Sequence, residues 1–428
     1  MKSMSYLSMS KEELLKEYEL LKVKFDEFKA LDLSVDMSRG KPASPQLDLS
    51  NDMLNSITVD DLITMNGTDV RNYGGLDGLP EMKAIFADIL SVAPENIIVG
   101  ENSSLNMMYD TIARAMFFGI MGSEPWNKQG KIKFLCPVPG YDRHFGICEA
   151  FGIEMINIPM LSDGPDMDLV AEYVENDSSV KGIWSVPAYS NPTGITYSDE
   201  VVRKFAALKP AAKDFRIFWD NAYCVHHIKE NPDKLLNIFD ACKEYGSEDM
   251  VYEFVSTSKI SFSGAGVAAM AASEANVKEI LKHLSSQTIG PNKINQLMHV
   301  KFFKSADGIR EHMQKHRKFL EPKFNAVIKG LNEGLGDLEI ATYTNPNGGY
   351  FISFQTMKGC AKRVGELCKE LGLVITSVGA TYPYGVDPDD SNIRIAPTYP
   401  PIDELNTSIT VFVLCVKLAS IEKLLADK

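Results

Sequence analysis

Phe215-Arg216-Ile217-Phe218-Trp219-Asp220 and Val251-Tyr252-Glu253-Phe254-Val255-Ser256-Thr257-Ser258-Lys259 are the two stretches on which the fold turns. Each is an apolar run of strand length that leads out to a charged side chain, Asp220 in one case and Lys259 in the other. Short runs of this kind, bounded by turn residues, read as strands buried on both faces. Further runs lie at 97–100, 131–136, 180–186 and 267–271. Helical patterns at 81–90, 103–118, 199–208 and 275–284 separate many of them. Alternation of strand and helix from about 51 to 300 predicts an α/β fold with a mostly parallel central sheet covered on both sides. Ligands in such folds bind outside the carboxyl ends of the strands, where Asp220 and Lys259 lie.

Outside this region the character changes. Ser10 and Glu13 have capping-box spacing, and Leu14, Tyr18, Leu21 and Phe25 recur at helical intervals, so a first helix runs to about residue 29. Residues 36–50 are turn-rich and carry Arg39-Gly40-Lys41-Pro42, which reads as an ordered crossing segment. After 301 come long charged helical stretches at 309–331, strands at 338–340 and 350–354, a helix at 361–371 and a strand at 392–395. The expectation is a large domain over 51–300 and a second, smaller α+β domain from 1–50 and 301–428.

Composition narrows the function. The 428 residues are 45% hydrophobic, and 57 acidic against 44 basic residues leave a net charge of -13, with no basic stripe. A nucleic-acid partner is not expected. Seven scattered cysteines with no CxxC pair speak against a disulfide framework or zinc knuckle and for a reducing, cytoplasmic setting. No apolar segment has the length or position of a signal peptide or membrane span. There is no HExxH, GxSxG, Walker or GxGxxG pattern, and no metal site is expected.

The candidate chemistry sits at strand exits. Asp220 is placed to keep a pyridine nitrogen protonated; a helix cap is the alternative. Lys259 lies among hydroxyl residues before Gly264-Ala265-Gly266, where an amine can form a Schiff base; the alternative is a solvated loop lysine. Ser256 and Ser258 can donate to a phosphate or simply make turns. Asn191-Pro192-Thr193-Gly194 is a turn in which Asn191 can meet a ligand oxygen. Ser103 and Ser104 open a helix whose free amides suit a phosphate. Tyr141 offers a flat ring for stacking. Arg394, inside the apolar strand 392–395, needs a partner, either a substrate carboxylate or a structural acid.

Singly these signals are soft, but their order is specific. Tyr73-Gly74, residues 100–104, Pro139-Gly140-Tyr141, Asn191-Pro192-Thr193-Gly194, Asp220-Asn221-Ala222-Tyr223, Ser256-Thr257-Ser258-Lys259 and Arg394 follow one another as in the fold type I pyridoxal-phosphate aminotransferases, which the chain resembles from about 36 to 400. Arg39-Gly40-Lys41-Pro42, Asn72-Tyr73-Gly74-Gly75 and Gly290-Pro291-Asn292-Lys293 before Asn295-Gln296 make it similar to the divergent MocR-like, or alternative-class, aspartate aminotransferases. The resemblance implies pyridoxal 5'-phosphate as cofactor and Lys259 as the Schiff-base lysine. It implies Asp220 as partner of the ring nitrogen with His144 behind it, and Tyr223 and Asn191 as donors to the ring's phenolic oxygen. Tyr141 stacks on the ring, Ser103, Ser104, Ser256 and Ser258 surround the phosphate, and Tyr73 reaches the phosphate of the other subunit in a homodimer with shared active sites. Arg394 clamps the substrate's α-carboxylate; Arg39, Gly40, Asn191 and Lys293 join it as substrate-binding candidates.

One departure stands out. Most of that superfamily has a phosphate-binding arginine eight residues after the lysine, where this chain has Val267. Ser261, Ser263, Lys293 or Arg39 are the candidates to compensate. The implied reaction moves an amino group from an L-amino acid, aspartate or glutamate first, to a 2-oxo acid such as 2-oxoglutarate. A dicarboxylate needs a second cation, for which Arg39, Lys41, Arg71 and Lys293 are available, with Lys293 preferred. A β-eliminating lyase on the same fold is the runner-up. A non-catalytic cofactor-binding regulator is disfavoured because residues 1–35 are too short and not basic enough for a DNA-binding unit.

Overall fold

The computed structural model describes residues 5–428. Among these residues, eight strands form one sheet. Edge to edge they run Ile97–Val99, Ala268–Ala271, Val251–Ser256, Arg216–Asp220, Val180–Ser185, Lys133–Val138, Glu154–Leu161 and Gly164–Pro165. The five strands from Val251–Ser256 to Glu154–Leu161 are parallel, and the pairings at both edges are antiparallel. This is the expected α/β sheet, parallel through its centre.

The apolar runs are continuous because both faces are covered. Successive side chains of a strand point to opposite faces. Ile217 and Trp219 therefore join one apolar cluster, while Phe218 joins another with Phe134, Cys136 and Trp184. Asp220 follows in the same alternation and falls on the Phe218 side, at the carboxyl end of its strand.

A second sheet has three antiparallel strands, Ala341–Tyr343, Ile352–Thr356 and Asn392–Ile395. Arg394 sits within it, opposite Ser353. The first of these strands starts later than the pattern at 338–340 predicts. Leu338 and Ile340 are buried as expected, but Glu339 has a φ of 57° in the turn that follows a helix, and extended pairing cannot begin until that turn is complete. Glu154–Leu161 is a further strand with no continuous apolar run, because one of its faces is half exposed and Pro159 interrupts it.

Three helices close this part of the molecule. Lys11–Lys29 carries the predicted capping box between Ser10 and Glu13. Its Leu14, Leu21 and Phe25 share an apolar cluster with the C-terminal helix Ile402–Asp427, and Tyr18 donates to Glu422 at 3.2 Å. The charged stretch at 309–331 belongs to one 30-residue helix, Ala306–Leu335. It lies against Ile402–Asp427 through Gly330 and Gly334. A Cβ on either would stand 2.5 Å from Ile409 Cγ2 or Val413 Cγ1 respectively. The missing side chains, four residues apart on both helices, let the two backbones approach.

No helix among the described residues is long and apolar enough to cross a membrane. The helix contact yields a direct check. Gly334→Leu is expected to lower the unfolding free energy by about 1–3 kcal/mol, the usual cost of overfilling a packed interface, measured by urea denaturation.

Candidate active site

A cavity of about 460 Å³ opens at the carboxyl ends of the central strands and reaches the three-stranded sheet, a size ordinary for cofactor sites. Its wall contains Asp220, Ala222 and Tyr223 after the strand Arg216–Asp220, and Ser256, Ser258, Lys259 and Ser263 after the strand Val251–Ser256. Ser103 and Ser104 come from the start of the helix Ser104–Phe118, and Tyr141 from the end of Lys133–Val138. Asn191 comes from its turn, Arg394 from the small sheet, and Arg39, Gly40 and Lys41 from the crossing segment.

Asp220 is the best-defined group. It is 3% exposed, and its Oδ2 lies 3.0 Å from His144 Nε2. His144 is stacked on Trp184 with ring centroids 4.4 Å apart, so the imidazole cannot swing away. The other oxygen, Oδ1, is buried without any partner. A buried, bare carboxylate oxygen is costly unless something donates to it. A protonated pyridine nitrogen is such a donor, and this orphaned atom in the cavity wall is the observation by which the residues fit pyridoxal phosphate.

Lys259 Nζ stands 5.1 Å from the ring of Tyr223 and 5.9 Å from that of Tyr350. Burial pulls its pKa below the ordinary lysine value, opposed by the negative charge of Asp220. The shift raises the fraction of free amine, the form that attacks a carbonyl or takes a proton. Burial, with neighbouring Tyr141 and Asp220, pushes the Tyr223 hydroxyl well above its usual value, and burial with Asp220 and Asp142 pushes that of Tyr141 up to about 12. Both phenols therefore remain donors.

Arg394 is 9% exposed, with Nη1 donating to Asp142 Oδ1 at 2.9 Å and to Asn191 Oδ1 at 3.3 Å. Its guanidinium lies over Phe351 at 4.8 Å, and its Nε has no partner. Gly40 meets the outer edge of the same ring; a Cβ there would overlap Phe351.

The phosphate end is a cup of hydroxyls. Ser256 donates to Ser258 at 3.0 Å, Ser258 to the Asn102 carbonyl at 3.2 Å, and Ser263 to the Ser258 carbonyl at 2.7 Å. Ser103 caps the 15-residue helix Ser104–Phe118, whose free amides and positive end face the same place. Val267 is 1% exposed and sits in the apolar core, so no charge reaches the cavity from that position. Of the expected substitutes, Ser261 does not serve. It is fully buried and bonded to Thr257 and His299. Ser263 and Arg39 do line the cavity.

Besides Ser261, four expected residues are not brought to this wall. His144 is behind Asp220, as anticipated. Tyr73 is 82% exposed and lines a separate hollow with Gly74, Gly75 and Lys293. Lys293, preferred as the second cation, is buried there and donates to the Gly74 carbonyl at 2.7 Å. Within this chain Lys293 therefore does not line the cavity. Arg71 is likewise occupied, in a two-bond pair with Asp69 at 2.7 and 2.8 Å. Residues the motifs did not single out are Asp142, Arg143 and Phe351. The first two lie between Tyr141 and His144, and a charged pair flanked by two site residues was the available signal.

A model of the aspartate aminotransferase family matches residues 9–428. The chain belongs to that family. An aspartate aminotransferase from Corynebacterium glutamicum is 45% identical over 406 residues, covering 95% of this chain and 94% of that protein. The crystal structure of an aspartate transaminase from the same species superimposes with a TM-score of 0.96 at 44% identity, covering 98% of this chain and 99% of the other. The aspartate aminotransferase of Thermus thermophilus shares the fold, with a TM-score of 0.69 at 15% identity over 93% of this chain and 96% of its own. The protein is a pyridoxal-phosphate-dependent aminotransferase of fold type I, and its substrates are small molecules, amino acids and 2-oxo acids.

Lys259→Ala is expected to leave the melting curve of the protein nearly unchanged and to reduce transamination by at least ~10²–10⁴-fold, the usual contribution of a positioned acid–base group. Steady-state assay of the purified variant checks this, and unaltered turnover removes Lys259 from the reaction.

Proposed function

We propose that the enzyme takes aspartate or glutamate as amino donor and 2-oxoglutarate as acceptor, and that Asp220, Tyr223 and Lys259 carry the chemistry. The observation that carries the substrate reading is a cavity lined by one buried cation and three exposed ones, room for two carboxylates. Arg394 is deep. Arg39, Lys41 and Arg143 stand around the cavity. Arg39 Nε is 3.5 Å from Asp36 and Lys41 Nζ lies 4.1 Å over Tyr399. Arg143 is exposed and makes no ion pair among the described residues. A dicarboxylate can meet the buried cation and an exposed one at once; the curated relative named for aspartate supports the same choice.

When bound, pyridoxal phosphate supplies an electron sink for the pair left on the substrate's α-carbon. The chain does the rest. Asp220 Oδ1 would hold a proton on the ring nitrogen. Tyr223 and the Asn191 amide would donate to the ring oxygen, Tyr141 would cover one ring face, and the serine cup with the start of the helix Ser104–Phe118 would take the phosphate. Lys259 Nζ would hold the cofactor's aldehyde carbon and, once displaced by substrate, would take the proton from Cα and pass it to that same carbon. Arg394 would bind the α-carboxylate, trading its Asp142 contact for the substrate, and so fix which bond stands over the ring.

The remaining proposals concern setting. We place the chain in the divergent alternative-class branch, supported by 44–45% identity to the corynebacterial proteins against 15% to the Thermus enzyme. The division into 51–300 and 1–50 with 301–428 is kept as the domain reading. Exposed Tyr73, bonded beside exposed Ile289, supports a homodimer in which that tyrosine serves the partner copy. Seven free thiols support a cytoplasmic setting.

Absorption spectra of the holoenzyme titrated with single amino acids test the substrate. Aspartate and glutamate are expected to bleach the visible band; release of pyruvate and ammonia from cysteine, whose β-thiol can leave as sulfide, would favour the lyase. Arg143→Met is expected to raise KM for aspartate about 10-fold, the value of one exposed-to-half-buried charged contact, and to leave the KM for alanine alone.

A further inference from the structure

Lys259 is carried by a tight turn, residues 257–261, in which Ile260 N–H and Ser261 N–H both donate to the Thr257 carbonyl at 2.9 Å. Side chains on the far side of this turn from the cavity are histidines. The Ile260 carbonyl receives His312 Nε2 at 3.1 Å and His316 Nε2 at 3.0 Å, both from one face of the helix Ala306–Leu335. His299 Nε2 lies 2.8 Å from Ser261 Oγ. None of the three is more than 3% exposed.

The protonation pattern follows from the bonds. Gln46 Oε1 accepts from the Ala43 amide at 3.1 Å, which turns the Gln46 NH₂ toward His316 Nδ1, 3.2 Å away. Nδ1 must then accept, so the ring hydrogen is on Nε2 and points at the Ile260 carbonyl. His299 is the opposite tautomer: Nδ1 donates to the Asn295 carbonyl at 2.8 Å, and Nε2 accepts from Ser261. Burial lowers the pKa of all three rings, to about 4 for His312 and His316, so they remain neutral at working pH. The titratable groups facing His316 are His312 on its own helix, His226 and Tyr350 across from it, and Lys259 beyond His226.

Gln46 belongs to the segment that also carries Arg39, Gly40 and Lys41 into the cavity wall. A line of hydrogen bonds thus runs from that segment, through Gln46 and His316, to the peptide next to Lys259. We propose that Gln46 and neutral His316 are positioning residues that lock the Lys259 turn to the segment bearing Gly40 and Lys41, so that the amine is aligned for proton transfer when the segment is seated. This rests on Lys259 as the group that moves the Cα proton. Misplacement of such a group by a fraction of an ångström is costly because the transfer demands a close, aligned approach.

The test uses His316→Leu, the rescuing His316→Gln, whose amide can still donate to the Ile260 carbonyl, and Gln46→Leu. Assayed as holoenzyme with aspartate and 2-oxoglutarate, the two leucine variants are expected to lose about 10- to 100-fold in kcat. KM for aspartate should stay within about twofold, and the α-deuterium isotope effect on kcat should rise. His316→Gln should recover most of the loss. In cofactor-free protein, amide exchange should quicken at 257–261 in both leucine variants. Unchanged kcat, a rise in KM in its place, or an unaltered isotope effect would overturn the proposal. If His316→Leu does not fold, Gln46→Leu decides, since it leaves the histidines in place. A wild-type enzyme inactive with aspartate would sink the substrate reading alone; the exchange result would still judge the lock.

Discussion

One carboxylate organises the site. Asp220 is buried, held on one oxygen by a histidine wedged against a tryptophan, and bare on the other. A charge in that environment has to be met by a donor, and the cavity is where the donor must come from. The same charge opposes the desolvation of Lys259 and helps keep the Tyr223 and Tyr141 phenols protonated. Amine, phenols and carboxylate are therefore coupled through a few ångströms of low-dielectric interior. What the sheet contributes is stiffness: adjacent parallel strands, paired Asp220 to Phe254, hold the carboxylate and the lysine turn in fixed relation.

The phosphate end is built on a different principle from the carboxylate end. With Val267 in the core, no arginine follows the lysine at the usual interval. Hydroxyls from one loop and the start of a helix take its place in the proposed arrangement. Backbone amides and serine hydroxyls bind an anion by direction as much as by charge, and they demand less of the surrounding core than a buried guanidinium does. The cationic charge of the cavity is left to its substrate side, at Arg394, Arg39, Lys41 and Arg143.

Much of this was legible in the chain. The near-continuous apolar runs marked the central strands because a sheet covered on both faces demands them. Asp220, Tyr223, Asn191, Tyr141, the serines, Lys259 and Arg394 all reach one cavity, since each follows a strand or turn that ends there. Glu154–Leu161 was harder to read because a half-exposed strand lacks the continuous pattern. The strand at 341 was misplaced because a positive φ at Glu339 is not visible in hydropathy.

Side-chain partnership is the part the residues alone left open. Local pattern determines which residues end strands, because burial and backbone geometry act over a few neighbours. Whether a cation is free depends on distant segments. Lys293 donates to the Gly74 carbonyl 219 positions away, and Arg143 stands beside the cavity with no ion pair among the described residues; His316 meets Gln46 across 270 positions of sequence. Hydrogen-bond reach is about 3 Å, and only the folded chain decides which groups come within it.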